Sequence, residues 1–383
     1  MDIAYLASSP NGDIPLSPDD LAAPFRITPE AAHPFLTLGG YLDGLRDFVL
    51  EGGGQTLCRI LRSKSRRRIL PGDIEALEVC TAKHGALYHV AGIGVRAGVE
   101  RFRLCASTAV SARARQWLAR EVETLEALHR RFGLPHLPVP LRFGETRCGS
   151  GQRGLSCLVL LVDWFEGFHE WHLGPAGEGE PSRVRIWDQT QGYHWATLRE
   201  AESLFREAAR ILTRVFDPEG FRQIRSWHHA AGDFVVRPRK GRLDVRLTTA
   251  RRYEPLPGLG PNEGLHPAVA LVCFFLDLVL RLRLDREDGV GVFLWAGDDA
   301  LEAAVDGFFT ALSECGGSGA PLLEGDVEVA GLLRSFSSEE LLTLYGPILQ
   351  RFTDADPAER ELVENRIEDH VTALHRVLLK VRG

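Results

Sequence analysis

Two short segments concentrate the residue types that bind ligands or metals. They are Phe168, His169, Glu170, Trp171 and His172, followed later by Trp227, His228 and His229. Indole rings stack on flat ligands and imidazoles hydrogen-bond to them, which predicts a small-molecule pocket. A second hypothesis is a transition-metal site, because imidazole and carboxylate groups coordinate such ions. Its ligands would be His169, His172, His228 and Asp233. The structural alternative is that the tryptophans fill the core and the histidines hydrogen-bond to loop carbonyls.

Several other catalytic signatures are absent from the sequence. His169-x-x-His172 lacks the His-Glu-x-x-His order of zinc proteases. The chain has no G-x-S-x-G elbow, no Walker loop and no Rossmann glycine signature after a strand. Its seven cysteines are scattered without a CxxC pair, which favours reduced thiols over a structural zinc site.

Composition and charge restrict the class of protein. The 383 residues are 44% hydrophobic and 25% charged, which is ordinary for a folded chain with about two or three cores. The net charge of -7 lacks the basic footprint of a nucleic-acid or anionic-membrane binder, so neither partner is expected. The start has no apolar stretch long enough for a signal peptide, which predicts a cytoplasmic protein. The longest apolar run, Ala268 to Leu280, is too short to span a bilayer and predicts a buried helix.

The first half of the chain predicts a small sheet and one long helix. Residues 1–35 are rich in Pro, Ser, Asp and Gly and are expected to form a loosely held extension. A short amphipathic helix is predicted over 41–50. Three antiparallel strands separated by glycine-containing turns are predicted over 74–107. A helix over 111–132 and a buried strand over 155–162 follow.

The second half is predicted to be mostly helical. A long helix over about 198–215 leads into the segment SWHHAAGDFVV and then a strand, a turn and a second strand. Asp298 and Asp299 are expected to cap a helix, because carboxylates accept from free backbone N–H groups there. The last helix should begin with Asp356 as its cap and Pro357 at its first position.

This order of elements resembles the aminoglycoside phosphotransferase and choline kinase branch of the protein-kinase-like fold. LLVDWFEG at 160–167 is similar to the hinge that meets adenine in that family. REVETLEAL at 120–128 is similar to the helix whose glutamate pairs with a strand lysine, and AKHGALYHV is similar to the loop over the phosphates. The resemblance covers roughly residues 74–330, and it rests on the order of the pieces more than on any one of them.

The resemblance implies an α+β, two-lobed protein that uses ATP and Mg²⁺. The implied divisions are an extension at 1–35, an N-terminal lobe at 36–165, a helical C-terminal lobe at 166–335 and packed helices at 336–383. The backbone of Asp163 to Phe165 would meet adenine, and Glu121 would help to orient phosphates. The segments that contain His169, Trp171, His172, Trp227 and His229 would border the cleft between the lobes and could line one pocket.

The catalytic positions depart from the family pattern H-G-D-x-x-x-x-N followed by a metal-binding Asp. Matching Gly232-Asp233 to the family's Gly-Asn puts His228 in place of the catalytic Asp and Asp233 in place of the Asn. Thr248 or Thr249 then stands where the metal-binding Asp belongs. Cys105 replaces the phosphate-binding lysine, and Arg103 shares its strand face and could supply the charge.

Three functions follow from these departures. The first is a degenerate kinase-like protein that binds a nucleotide or small ligand without catalysis, with ATP and Mg²⁺ or no cofactor. The second is an active small-molecule phosphotransferase in which His228 is the base and Asp233 is the main metal ligand. The third is a non-catalytic scaffold that binds a protein partner.

Overall fold

The structure is a computed structural model of the chain. It describes residues 1–9, 12–27, 31–84, 87–149, 154–177, 182–188, 191–225, 227, 233–258, 260, 264–289, 291–316, 329–350 and 356–381. The chain is α+β and forms two compact units. The first comprises Met1–Arg130, Pro138–Gly167 and Gln189–Gly192. The second comprises Arg131–Leu137, Phe168–Asp188 and Tyr193–Gly383.

The elements up to residue 163 are, in chain order, β1 (Asp2–Ala7), β2 (Ile14–Pro15), α1 (Pro18–Ala22), β3 (Pro24–Arg26), β4 (Ala32–Thr37), α2 (Leu38–Leu50), α3 (Gln55–Arg62), β5 (Ala76–His84), β6 (His89–Ala97), β7 (Glu100–Ala109), α4 (Ala112–Phe132), β8 (Arg142–Cys148) and β9 (Leu155–Asp163). Seven of these strands form one sheet in the order β2-β1-β5-β6-β7-β9-β8. The predicted helices over 41–50 and 111–132, the three antiparallel strands and the strand over 155–162 are confirmed.

One face of this sheet packs on α2 and α3. Alternate residues of the central strands, such as Val79, Ile93, Ala106 and Val159, are fully buried with the apolar side chains of the two helices. α2 approaches β8 so closely that a Cβ on Gly44 would lie 2.6 Å from the Sγ of Cys148. Glycine is therefore required at this contact.

The prediction of a loosely held extension over 1–35 is wrong. β1 pairs in parallel with β5 from Asp2 opposite Ala76 to Ala7 opposite Thr81. β1 also pairs with β2 in antiparallel fashion, and β3 pairs with β4. Phe25 is 1% exposed and belongs to the core. The polar composition of the segment hid these pairings, because their partners lie far along the chain.

The elements from residue 170 onward are β10 (Glu170–Gly174), β11 (Arg183–Asp188), β12 (Gly192–Trp195), α5 (Leu198–Arg214), β13 (Gln223–Arg225), β14 (Phe234–Arg239), β15 (Arg242–Leu247), β16 (Arg252–Glu254), α6 (Pro267–Arg281), β17 (Leu284–Arg286), β18 (Phe293–Trp295), α7 (Asp298–Gly316), α8 (Val329–Ser335), α9 (Ser338–Leu349) and α10 (Pro357–Leu378). The predicted α5, α6, hairpin and last helix are confirmed, and Asp356 caps α10 with Pro357 at its start. Asp298 and Asp299 lie in the first turn of α7.

The second unit contains more sheet than its sequence predicts. β10, β11 and β12 form a three-stranded sheet, and the β14–β15 hairpin follows α5. Backbone hydrogen bonds between His169 and Val236, at 2.7 and 2.9 Å, join β14 to the residue before β10. The apolar sides of these strands are buried, and Trp171 of β10 meets Phe205 of α5 edge to face at 5.8 Å. Among the described residues, no helix combines the length and apolar character needed to cross a membrane.

A buried polar network joins α6, α9 and α10. The hydroxyl of Tyr345 lies 3.2 Å from the Leu276 carbonyl oxygen and 2.7 Å from Nε2 of His370. Nη1 of Arg283 lies 3.5 Å from Nδ1 of His370. Arginine only donates, so Nδ1 must accept and Nε2 must carry the proton. His370 therefore donates to Tyr345, which donates to Leu276.

Gly307 allows α7 to touch the backbone of α5. A Cβ at Gly307 would overlap the Arg206 carbonyl group, whereas nothing lies within 4 Å of a Cβ at Gly346 in α9. We expect Gly307→Ala to destabilise the protein by about 1–3 kcal/mol, because the helices must separate. We expect Gly346→Ala to change stability by less than about 1 kcal/mol, because alanine favours the helix while the ring of Pro347 disfavours a Cβ on the residue before it. Urea unfolding of both variants measures this, and equal effects would contradict the close approach.

His370 should make stability depend on pH. Burial, assisted by Arg283, lowers the pKa of His370 to about 3. In the unfolded chain the pKa of His370 is near 6.5, so between these two values the unfolded state binds one more proton than the folded state. The part of the free energy of unfolding that depends on a neutral His370 is fully present above about pH 6.5. It is lost as the pH falls toward 3, with a slope of up to about 1.4 kcal/mol per pH unit. We expect His370→Gln to remove that part of the slope in unfolding titrations, while His194→Gln, at an exposed residue, should retain it.

Candidate functional site

Arg103 and Trp164 lie together on the face of the first unit's sheet that carries Cys105. The guanidinium carbon of Arg103 is 4.4 Å from the centre of the Trp164 ring, and Nη2 is 3.4 Å from Oδ2 of Asp13. A Cβ on Gly92 would lie within 4 Å of both side chains. The predicted strand face of Arg103 is therefore cationic, partly exposed and backed by an indole ring.

Cys105, at the position where the resemblance expects a phosphate-binding lysine, is a neutral group. Burial, together with the nearby carboxylate of Glu121, raises the pKa of its thiol to about 12, and Arg103 opposes the rise. Glu121 on α4 is 4% exposed and is close enough to act on this thiol. The structure thus brings Arg103, Cys105 and Glu121 to one region of the first unit. A neutral thiol cannot hold a phosphate as a lysine would, so any phosphate contact there falls to Arg103.

Asp163 ends β9, two residues beyond the last residue of β9 that pairs with β8. The ladder between β7 and β9 continues to Asp163, whereas the ladder between β8 and β9 stops at Leu161. On that side, the backbone of 162–163 pairs with no strand among the described residues. The carboxylate of Asp163 contacts the ammonium group of Lys64. Phe165 follows in the partly exposed loop.

Asp233 and Thr248 meet at the open end of the β14–β15 hairpin in the second unit. Asp233 directly precedes β14 and Thr248 directly follows β15, so the antiparallel pairing places them side by side. The amide of Thr248 donates to the Asp233 carbonyl oxygen at 2.6 Å, and its hydroxyl donates to the same atom at 3.2 Å. The second candidate, Thr249, is buried beside it.

Arg251 forms an ion pair with the carboxylate of Asp233. Its Nη1 and Nη2 donate to the two carboxylate oxygens at 2.9 and 2.8 Å, which is the bidentate geometry of an arginine fork. Asp233 is 1% exposed, so its charge would be costly without this cation. Sequence reasoning missed Arg251. The signal that could have found it is the pair Arg251-Arg252, which begins four residues after a strand that ends beside a buried carboxylate.

These residues do not fit a Mg²⁺ ion. Magnesium needs oxygen ligands in near-octahedral geometry and is usually held by one or two carboxylates. Here the single carboxylate binds a guanidinium through both oxygens, and Thr248 and Thr249 supply no charge. A cation beside Arg251 would also be repelled by its positive charge. The interpretation of Asp233 as a metal ligand therefore lacks support from its geometry.

The described side chains of the two histidine and tryptophan segments contact different partners. Strand alternation sends Trp171 into the core, where it is 1% exposed, and His172 to the opposite face, with Nδ1 3.6 Å from Oδ2 of Asp285. Nε2 of His169 lies 3.5 Å from Oδ2 of Asp188. Trp227 is buried and packs edge to face on Phe234 at 5.7 Å. Trp171 and Trp227 are both buried, as the structural interpretation expects of core residues.

His228 and His229 lie outside the described residues, so their predicted roles stay predictions. Within the described ranges, no group of three or more His, Cys, Asp or Glu side chains could hold a metal ion. The predicted metal ligands His169, His172 and Asp233 each face a different partner, Asp188, Asp285 and Arg251 respectively.

No protein-family model matches the chain, and a search of curated proteins finds no match.

The Arg251–Asp233 pair should contribute strongly to stability. Removing one partner of a buried ion pair leaves the other charge uncompensated, so we expect Arg251→Ala to destabilise the protein by about 3–5 kcal/mol. Arg222→Ala is the matched control, because buried Asp217 keeps Arg131 as its second arginine. This control should cost roughly 1 kcal/mol. Urea unfolding measures both, and similar losses would show that Asp233 is compensated by another group.

Proposed function

We propose that this chain is a degenerate kinase-like protein of the aminoglycoside phosphotransferase type, which binds a nucleotide or small anionic ligand without Mg²⁺ and without phosphoryl transfer. One observation carries the proposal: Arg251 holds both carboxylate oxygens of Asp233 at the position where the resemblance places a magnesium ligand.

The order of elements supports the kinase-like part of the proposal. Antiparallel strands β5, β6 and β7 are followed by α4, by β8 and β9, and then by α5 and the β14–β15 hairpin. The hairpin sets Asp233 and Thr248 side by side, as the resemblance requires of the two metal-binding positions. β1, α2 and α3 and the β10–β12 sheet are additions to that plan.

The loss of catalysis follows from charge. Phosphoryl transfer depends on metal ions that neutralise the phosphate oxygens and are held by carboxylates. In this chain the first carboxylate is neutralised by Arg251 and the second is replaced by a threonine. The lysine position is Cys105, whose thiol stays protonated because burial raises its pKa.

Ligand binding remains feasible because arginines supply fixed positive charge. Arg103 is partly exposed and ordered by Trp164, which suits it to a phosphate or carboxylate. The unpaired backbone edge at 162–163 could hydrogen-bond to a base, as the resemblance implies for Asp163 to Phe165. Both features belong to the first unit and require no metal.

Nucleotide binding should be independent of magnesium. We expect ATP or GTP to raise the unfolding temperature equally in Mg²⁺ and in EDTA, because Arg251 already neutralises Asp233. Saturation at 100 times the dissociation constant stabilises a one-site protein by about 2.7 kcal/mol, which differential scanning fluorimetry detects. No ADP should form during prolonged incubation with Mg²⁺ and ATP.

Two variants test the assigned groups. Arg103→Gln should weaken the nucleotide response, whereas Arg366→Gln, at an exposed arginine of α10, should leave it unchanged. A response that requires Mg²⁺, or steady ADP production, would show an active phosphotransferase instead. Absence of any nucleotide response would favour the scaffold function.

A further inference from the structure

The strands of the second unit turn an arginine-rich side outward. In the registers that join β10 to β11 and β14 to β15, the buried residues Trp171, Ile186, Val236 and Val245 alternate with polar ones. The opposite side, which we call the arginine face, carries Arg183, Arg185, Arg237, Arg239, Arg242 and Arg246. Six arginines on one side of a few adjoining strands contrast with the net charge of -7 of the whole chain.

Aromatic rings are interleaved with these arginines. They are Phe168, Trp187, Tyr193 and Trp195. Phe168 lies between two guanidinium groups, 4.7 Å from that of Arg237 and 5.1 Å from that of Arg246. Guanidinium groups and rings stacked in this way are ordered and present flat surfaces.

The second group of stacks lies on β11 and β12. Arg185 lies 4.5 Å from the ring centre of Tyr193, and Arg183 lies 5.4 Å from that of Trp195. The indole of Trp195 packs directly over Gly174, because a Cβ on that glycine would lie 2.9 Å from the ring. Tyr193 and Trp195 are nevertheless 53% and 40% exposed, so their rings remain accessible.

The arginine face carries fewer acids than arginines: Glu170 and Asp244 lie on it, and Asp288 lies beside it. Asp244 lies 3.0 Å from Arg237 and 3.5 Å from Arg239, and Asp288 contacts Arg185. Arg183 and Arg242 form no ion pair within the described part of the chain. Arg239 and Arg242 are also direct cross-strand neighbours, a like-charge pairing that the carboxylate of Asp244, near Arg239, offsets only in part.

We propose that the arginine face binds a single-stranded nucleic acid. Its arginines would contact phosphates, and unpaired bases would stack on the exposed rings and guanidinium planes, a combination typical of single-strand binding surfaces. An acidic protein segment would match the charge but would not need accessible rings. The expectation that no nucleic acid is bound came from the net charge, which averages over the whole surface and hides this local excess.

Fluorescence anisotropy with labelled dT12 and U12 tests the proposal. We expect the full-length protein to bind at least one of them, to bind the corresponding 12-base-pair duplex more weakly, and to lose affinity as salt rises. Tyr193→Ala should weaken binding roughly 5-fold or more, because one stacked base is lost. Arg183→Ala with Arg242→Ala should reduce the slope of log affinity against log salt by about 1.4, because two phosphate contacts disappear.

The matched controls are Phe35→Ala, at an exposed ring outside this face, and Arg366→Ala with Arg360→Ala, at exposed arginines of α10. They should bind like the wild type, and circular dichroism should show that all variants are folded. Failure of both oligonucleotides to bind overturns the proposal, as does equal weakening by face and control variants. Binding of poly-L-glutamate but not of the oligonucleotides would assign the face to an acidic protein partner instead.

Discussion

The second unit depends on neutralising charged groups inside its core. Asp217 is held by Arg131 and Arg222, Asp233 by Arg251, and the buried Arg283 by Asp298. Asp285 instead accepts the backbone N–H groups of Leu173 and Arg286. An ionised side chain is tolerated in low-dielectric surroundings only where such partners are fixed in place. Each pair therefore determines how loops, helix ends and strands meet, and the candidate site is one of these pairs.

At the hairpin, this constraint decides which chemistry is available. An antiparallel turn brings residues before and after it together, which creates a natural place for two carboxylates and a metal. The chain has put a carboxylate, a threonine and a guanidinium there instead. Arg251 does structurally what a divalent cation would do electrostatically, but it offers no open coordination position. The proposed binding without turnover rests on this bidentate ion pair.

Local patterns in the sequence predicted much of the fold and little of the site. Periodicity identified α4, α5 and α10, and the glycine-separated runs identified β5 to β7. β1 was missed because its pairing with β5 is not local. Alternation along β10 separates Trp171 from His172, a consequence visible only once that segment is known to be a strand. The predicted histidine and tryptophan pocket stays a prediction. Arg251 could not be assigned because its partner precedes it by a full hairpin. Roles for His228 and His229 stay predictions.

The parallel pairing of β1 with β5 has a consequence for how the first unit folds. The strand must wait until residues near Ala76 have been synthesised and ordered, because its other neighbour, β2, is only two residues long. Such distant contacts are formed late, since closing a long loop costs entropy before any hydrogen bond repays it. Until then β5 presents a free edge, to which strands of other molecules can add. In the folded chain β1 covers this edge of β5, and the edge that remains is the outer side of β1, which β2 pairs at only two residues.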